Sequence, residues 1–362
     1  MARITLDKLA HSYKPNPSGP GDYALKEIDH VWRQGGAYAL LGPSGCGKTT
    51  LLNIISGLVT PTRGRILFDD DDVTGRPTEA RNIAQVFQFP VVYDTMTVRE
   101  NLAFPLKNRG VARDVIRRRV DEIAGLLDLT RSLDRKASNL TADAKQKISL
   151  GRGLVRPDVA AILFDEPLTV IDPHLKWQLR STLKELHRRL DITMIYVTHD
   201  QTEALTFADT VVVMHDGAVV QAGTPDQLFD RPAHTFVGHF IGSPGMNVLP
   251  CRVDGALATV EGHPVTLAHA YPALDAARVE LGIRPEFIRL APRGAGLPVR
   301  VRRIDDIGRA RIARVELGAC ALSAMAPDGV ALDGDEASLS LDPSRIHVYA
   351  DGRLVAPAGA IA

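Results

Sequence analysis

Gly42-Pro43-Ser44-Gly45-Cys46-Gly47-Lys48-Thr49-Thr50 lies between an apolar run, residues 37–41, and the helix-like start Leu51-Leu52-Asn53-Ile54-Ile55. The run is short and wholly apolar, the pattern of a strand buried on both faces. A strand, a G-x-x-x-x-G-K-[ST] loop and a helix, in that order, give the context in which this pattern becomes a phosphate site. The glycines permit backbone geometry that a Cβ would block, so successive N–H groups can turn toward phosphate oxygens. The helix start adds unpaired donors and its dipole. Lys48 is placed to reach the β- and γ-phosphates, and the Thr49 hydroxyl to hold Mg²⁺. The stretch implies a nucleoside triphosphate site on an α/β sheet.

The 362 residues exceed one typical domain, so two are expected. Lys+Arg and Asp+Glu both total 43, and a formal net charge of zero supplies no basic field for nucleic acid. Three widely spaced cysteines, Cys46, Cys251 and Cys320, show no metal-ligand spacing and suit a reducing compartment. The first residues lead into an alternating pattern rather than a secretory leader. No apolar run is long enough for a bilayer, so any membrane role is expected to come through a partner.

Residues 3–9 alternate like an edge strand, with 24–31 as partner and the Pro/Gly-rich loop 14–21 between them. Tyr13, at the mouth of that loop, is placed either to stack on a nucleobase or to pack on the neighbouring strand. Residues 62–68 read as a turn and strand, and the acidic run 69–72 as a solvated turn rather than a metal site. Residues 82–87 form a strand ending at Gln88. From 98 to 129 the period is helical, with Val115, Ile116, Val120, Ile123, Leu126 and Leu127 on one apolar face and Arg117-Arg118-Arg119 in water. Residues 159–164 form an apolar run too short for a helix, closed by Asp165-Glu166-Pro167, as in a buried parallel strand. Leu175, Leu179, Leu183, Leu186 and Leu190 mark one side of the next helix. Strands follow at 193–198, ending at His199, and at 210–214. Strands alternating with helices around a phosphate loop indicate α/β architecture. Beyond Gly242-Ser243-Pro244-Gly245-Met246-Asn247 the long helical periods vanish, and short segments such as 299–304 and 310–317 imply a small β domain, a barrel. The expected division is an α/β domain over 1–241, with a helical subdomain at about 89–157, and a β domain over 242–362.

Asp165 ends its strand where the carboxyl edge of a parallel sheet binds ligands, and suits Mg²⁺ directly or through water. Glu166 beside it is a candidate general base for the attacking water, the alternative being a turn cap before Pro167. His199 ends another strand and is a candidate donor to the γ-phosphate. Gln88 can touch Mg²⁺ or the water, or satisfy its own loop.

The phosphate loop, Gln88, the apolar strand into Asp165-Glu166-Pro167, Asp172 and Val197-Thr198-His199-Asp200 occur in the order found in ABC transporter ATPases. The chain resembles that family over essentially its whole length. Gly242-Ser243-Pro244-Gly245-Met246-Asn247 and Gly282-Ile283-Arg284-Pro285-Glu286 are similar to the junction and accessory domain of the maltose and glycerol-phosphate importers. The resemblance implies a P-loop NTPase (ABC ATPase) domain with a helical subdomain, followed by an all-β, OB-like domain of the TOBE type. It implies that ATP lies on Gly42, Pro43, Ser44, Gly45, Cys46, Gly47, Lys48, Thr49 and Thr50 with adenine on Tyr13, and that Mg²⁺ is held through Thr49, Gln88 and Asp165. Glu166 and His199 become the catalytic pair. Two ATPase subunits pair head to tail with Asp172 at their interface, and the region after Gln88 docks one of two integral membrane permease subunits. A solute-binding protein completes such an importer, and the ATPase sits peripherally on the cytoplasmic membrane face.

One segment departs from the family. Its signature, Leu-Ser-Gly-Gly-Gln, cradles the partner's γ-phosphate at a helix start; the aligned residues here are Leu140, Thr141, Ala142, Asp143 and Ala144. The two lost glycines restrict close approach. Asp143 brings a negative charge toward a polyanion, at about 1 kcal/mol for one pair about 4 Å apart in water and roughly 4 at an effective dielectric of 20. Lys145 is a candidate to offset part of this, and Thr141 with Asp143 makes a good helix start without any ligand. The segment reads as a degenerate signature, which implies a second, unlike ATPase subunit as partner. With Phe164-Asp165-Glu166-Pro167-Leu168-Thr169-Val170-Ile171-Asp172 it resembles the glycerol and polyol importers; sugar or glycerol-phosphate import is the alternative, and a soluble ABC ATPase uncoupled from transport is the reading from another class.

Overall fold

In the computed structural model, which describes residues 2–190, 192–294, 296–308, 310–326 and 335–359, strands β1 (Ile4–His11) and β2 (Leu25–Trp32) pair antiparallel. With β4 (Arg63–Phe68) and the short β5 (Asp71–Asp72) they form a sheet of order β2-β1-β4-β5. The alternation read over 3–9 is the reason: Ile4, Leu6 and Leu9 are fully buried while Asp7 and Lys8 are not. The acidic run faces solvent, with Asp70 and Asp71 paired to Arg3 and Arg76.

A second, six-stranded sheet holds β3 (Ala37–Leu41), β6 (Ile83–Val86), β7 (Ala161–Asp165), β8 (Met194–Thr198), β9 (Thr210–His215) and β10 (Ala218–Gly223) in the order β10-β9-β3-β8-β7-β6. Strands β9, β3, β8, β7 and β6 run parallel. Every residue of β3, β7 and β8 is buried, because helices or the other sheet cover both faces. Helix α1 (Lys48–Ser56) buries Leu51, Leu52, Ile54 and Ile55 in one core with residues from both sheets.

The helical stretch read as continuous over 98–129 is two helices, α2 (Val98–Lys107) and α3 (Arg113–Leu126). Pro105 lies in the last turn of α2, and Gly110 takes φ +71°, which turns the chain before α3 can start. Of the predicted apolar face, Ile116, Val120, Ile123 and Leu127 are buried, but Val115 is exposed. Arg119 also departs from expectation. Its guanidinium donates to the carbonyls of Val155 and Leu154 at 3.1 and 3.0 Å, closing the C-terminus of α4 (Ala142–Leu154). Helices α5 (Pro173–Leu190) and α6 (Gln201–Phe207) flank β8, with Leu179, Leu183 and Leu186 turned inward.

The chain divides into two compact units, Met1–Ala222 and Gly223–Ala362. The second begins with α7 (Pro225–Asp230) and α8 (Thr235–Phe240). A sheet of β11 (Asn247–Pro250), β14 (Val279–Ile283), β20 (His347–Ala350) and β21 (Arg353–Leu354) follows, with a hairpin of β12 (Arg252–Val260) and β13 (His263–Tyr271). Strands β15 (Ile288–Pro292), β16 (Leu297–Asp306), β17 (Arg311–Leu317), β18 (Cys320–Ala326) and β19 (Glu336–Leu341) close into a small barrel, as the sequence predicts. Within this unit the buried Arg284 donates to the carbonyls of Phe229 and Ile241, so the Gly282-Ile283-Arg284-Pro285-Glu286 motif fastens α7 and α8 to β14. Among the described residues, no helix is long and apolar enough to cross a membrane.

Candidate functional site

The parallel strands bring the sequence-predicted residues to one sheet edge. Leu41 pairs with Thr198, Asp165 with Val197, and Val86 with Phe164. The loops that leave β3, β8, β7 and β6 therefore emerge side by side, carrying the phosphate loop, His199, Glu166 and Gln88 respectively.

The phosphate loop has the geometry its composition demands. Gly45 and Gly47 adopt φ +82° and +97°, and a Cβ on Gly47 would lie 2.7 Å from the Ala24 carbonyl oxygen. Gly47 is also the N-cap of α1 and offers no side-chain acceptor to the first amides of the helix. Lys48 is buried and donates to the carbonyls of Gly42 and Pro43 at 2.8 and 2.9 Å, which holds its ammonium under the loop. Ser44, Gly45, Gly47, Lys48, Thr49 and Thr50 line a cleft of about 380 Å³ together with Tyr13, Ala24 and Glu166. Cys46 turns inward instead, and burial raises its thiol pKa.

Tyr13 is 65% exposed at the rim. Its hydroxyl lies 3.1 Å from Thr50 Oγ1, and its ring meets His11 edge-on with centroids 4.6 Å apart. An aromatic face is thus left open above the phosphate loop, the arrangement that base stacking uses.

On the other side, Thr49 Oγ1 donates to Asp165 Oδ1 at 3.1 Å. Asp165 is 8% exposed; burial raises its pKa, the Thr49 bond opposes the rise, and neighbouring Glu166 adds to it. A buried carboxylate and a hydroxyl at contact distance are hard oxygen donors, and they fit Mg²⁺. Glu166 takes the left-handed φ of +46°, held by its N–H to the Val197 carbonyl at 3.0 Å. Its Oε2 stands 3.0 Å from His199 Nδ1 and accepts from Thr169 Oγ1 at 3.3 Å. Left-handed backbone beside the phosphate loop is the kind of strain that functional sites retain. Gln88 is half-buried just beyond β6 and does not line the cleft.

Asp172 is exposed and caps α5, with its Oδ1 accepting from the His174 N–H at 2.9 Å. At the altered signature, Leu140 precedes α4, and Thr141 is the N-cap, its hydroxyl accepting from the Ala144 N–H at 3.4 Å. Thr141 and Ala142 are exposed and Asp143 half-buried. Lys145 does not offset Asp143, because its ammonium lies 2.8 Å from Asp94. Gln146, which composition and spacing did not single out, is fully buried and binds the Pro167 carbonyl at 2.7 Å.

A glycine-rich loop feeding a helix, with a buried Asp, a strained Glu and a His at adjacent strand ends, defines a P-loop nucleoside triphosphatase. Residues 25–169 match the ABC transporter family model, 242–288 the MalK OB fold domain and 281–349 the TOBE domain. The chain is 38% identical over 357 residues to the sulfoquinovosyl glycerol transport ATP-binding protein SmoE of Agrobacterium fabrum, covering 96% of this chain and 98% of that one. It is 40% identical to the sn-glycerol-3-phosphate import ATP-binding protein UgpC of Yersinia pestis, covering 96% and 97%. The trehalose import ATP-binding protein SugC of Mycobacterium tuberculosis is 40% identical, with 85% and 80% covered. A solved Clostridium perfringens subunit, part of the ABC transporter complex cbiONQ, superposes with a TM-score of 0.57 at 28% identity over 63% of this chain and 90% of its own. The chain belongs to the family of ATP-binding import subunits of ABC transporters, which couple ATP hydrolysis to transport.

Proposed function

We propose that this chain binds MgATP in the cleft between the phosphate loop and Glu166 and hydrolyses it to drive uptake of a sugar or glycerol-phosphate type of solute. The observation that carries the chemistry is the contact between Glu166 and His199 at 3.0 Å, beside a phosphate loop that leads into a helix start with no side-chain cap. Tyr13 supplies the stacking face for adenine. Gly45, Gly47 and the start of α1 present N–H groups to the phosphates, and Lys48 exchanges its loop carbonyls for phosphate oxygens. Thr49 and Asp165 hold Mg²⁺, with Gln88 approaching from β6. When bound, Mg²⁺ screens the charge of the β- and γ-phosphates. Glu166 accepts the proton of the attacking water, its carboxylate aimed by Thr169 and His199, and His199 donates to the γ-phosphate.

The solute assignment follows the relatives, whose names give a sulfoquinovosyl glycerol, glycerol-3-phosphate and trehalose. They favour the sugar and glycerol-phosphate alternative over free glycerol or another polyol. The subunit accordingly sits on the cytoplasmic membrane face with two permease subunits and a solute-binding protein, its nucleotide domain (1–241) paired across Asp172 and its β domain (242–362) accessory. A second reading, an unlike ATPase as the partner, rests on Thr141, Ala142, Asp143 and Ala144 alone. Replacing Glu166→Gln is expected to lower the rate of ATP hydrolysis by about 10²- to 10⁴-fold while ATP still binds. Wild-type turnover in that variant excludes Glu166 as the base.

A further inference from the structure

One face of α4 grips the segment that follows β6. Lys145 pairs with Asp94 at 2.8 Å, the Val91 N–H donates to Ser149 Oγ at 3.4 Å, and Arg152 donates to the Val91 carbonyl at 2.7 Å. The Arg152 guanidinium also covers the Tyr93 ring at 4.6 Å. Gln146 sits among these residues at 0% exposure and reaches in two directions. Its Nε2 donates to the Phe87 carbonyl at 3.3 Å and to the Pro167 carbonyl at 2.7 Å, while Oε1 finds no donor. The reverse amide orientation would set Oε1 against both carbonyls, so the contacts fix the side chain one way. Phe87 immediately precedes Gln88, and Pro167 immediately follows Glu166.

We propose that Gln146 is a positioning residue that ties α4 to both loops, so that Gln88 and Glu166 shift as a unit whenever α4 moves. The inference rests on the ATPase reading and adds a route for coupling. The N-terminus of α4 is the altered signature, which faces a partner's nucleotide in the family arrangement, whereas the two loops belong to this chain's own site. Loss of the signature glycines leaves this tie intact. A buried amide with one unanswered oxygen is a poor way to stabilise a core, since an apolar side chain of equal size avoids the orphan atom. Its two donor contacts are what single it out.

The test is steady-state hydrolysis of MgATP by the full-length chain, with thermal melting alongside. Gln146→Met keeps the length and removes both donors; kcat is expected to fall about tenfold with KM for ATP within about twofold, because misplaced groups slow chemistry more than binding. Gln146→Glu is expected to lose as much at neutral pH. Its rate relative to wild type should climb as pH falls, since a buried carboxyl takes up a proton readily and regains one donor. Unchanged kcat in both variants overturns the proposal, as does a raised KM at unchanged kcat. Should Gln146→Met melt below the assay temperature, Gln146→Asn, one methylene short of both carbonyls, must show the same loss of kcat; wild-type turnover there overturns it equally. Glu166→Gln runs in parallel. Wild-type turnover in that control sinks the ATPase reading itself, whereas a dead Glu166→Gln beside a normal Gln146→Met sinks only the role of Gln146.

Discussion

Two helix N-termini in this chain meet opposite fates. At α1 the N-cap is Gly47, whose φ of +97° aims the preceding loop inward and whose missing side chain leaves the first amides open. At α4 the N-cap is Thr141, whose hydroxyl already accepts from the Ala144 N–H, with Asp143 in the first turn to satisfy the dipole. Every helix start has orphan donors. A helix start kept for a ligand has reason to withhold the cap, and one that needs only a helix can supply it. The same chain does the first at its phosphate loop and the second at its altered signature; α3, uncapped at Ala112, shows that a missing cap makes a site only where the loop before it is built for one. The other end of α4 is equally self-sufficient, because Arg119 closes its last carbonyls.

Restoring glycines is the strongest way to break this contrast. Ala142→Gly, Asp143→Gly and Ala144→Gln together remove two Cβ atoms and the negative charge from the first turn of α4, with the Thr141 cap left in place. ATP turnover by the isolated chain is expected to rise about tenfold or more, as mutated anion-stabilising donors elsewhere cost that much or more. Unchanged turnover would mean that the signature does not limit the rate, and the reading of an unlike partner falls with it. Arg119→Met tests the opposite end of α4. It keeps the apolar stem but leaves two carbonyls unanswered, so unfolding free energy should drop by about 1–2 kcal/mol. Arg117→Met, on the exposed side of α3, should stay within about 0.5 kcal/mol of wild type by chemical denaturation.

The smallest effect concerns the open site. Burial raises the Asp165 pKa above its ordinary 3.8, so the folded chain holds that proton more tightly than the unfolded chain does. Stability from this group is therefore present at the acid end and declines as pH rises through the window between 3.8 and the folded value, remaining lower above it. Asp165→Asn carries no such dependence. Without nucleotide its melting temperature at neutral pH should exceed the wild-type value by a few degrees, the gap closing toward acid pH. MgATP should then stabilise the wild type more than the variant. A variant that melts lower at neutral pH would show that the Thr49 bond outweighs the burial.

The elements that carry the site were legible because their physics writes itself into composition. Strands β3, β7 and β8 are covered on both faces and read as short apolar runs; the phosphate loop needs glycine where φ is positive. The barrel of the second unit announced itself through short strands between turn residues. What sequence could not give were contacts made by one side chain to distant backbone. Arg119 looked like its neighbours Arg117 and Arg118, yet it alone points at α4. Gln146 followed a signature that had lost its pattern, and nothing in its spacing marked two carbonyls about 20 and 60 residues away. Val115 fitted the helical period loosely but lies about 100° round α3 from Ile116, outside the arc that Ile116, Val120, Ile123 and Leu127 bury.

The parallel register also makes the site an alignment device. Asp165 and Glu166 are consecutive, and the strand places the first toward Thr49 and lets the second turn to His199. A slip of one residue between β7 and β8 would exchange the faces of both carboxylates. A single inserted or deleted residue inside β7 is thus a change of chemistry, whereas one in the Pro/Gly loop 14–21 is only a change of length. Sequence drift is free at the second place and forbidden at the first, by geometry alone.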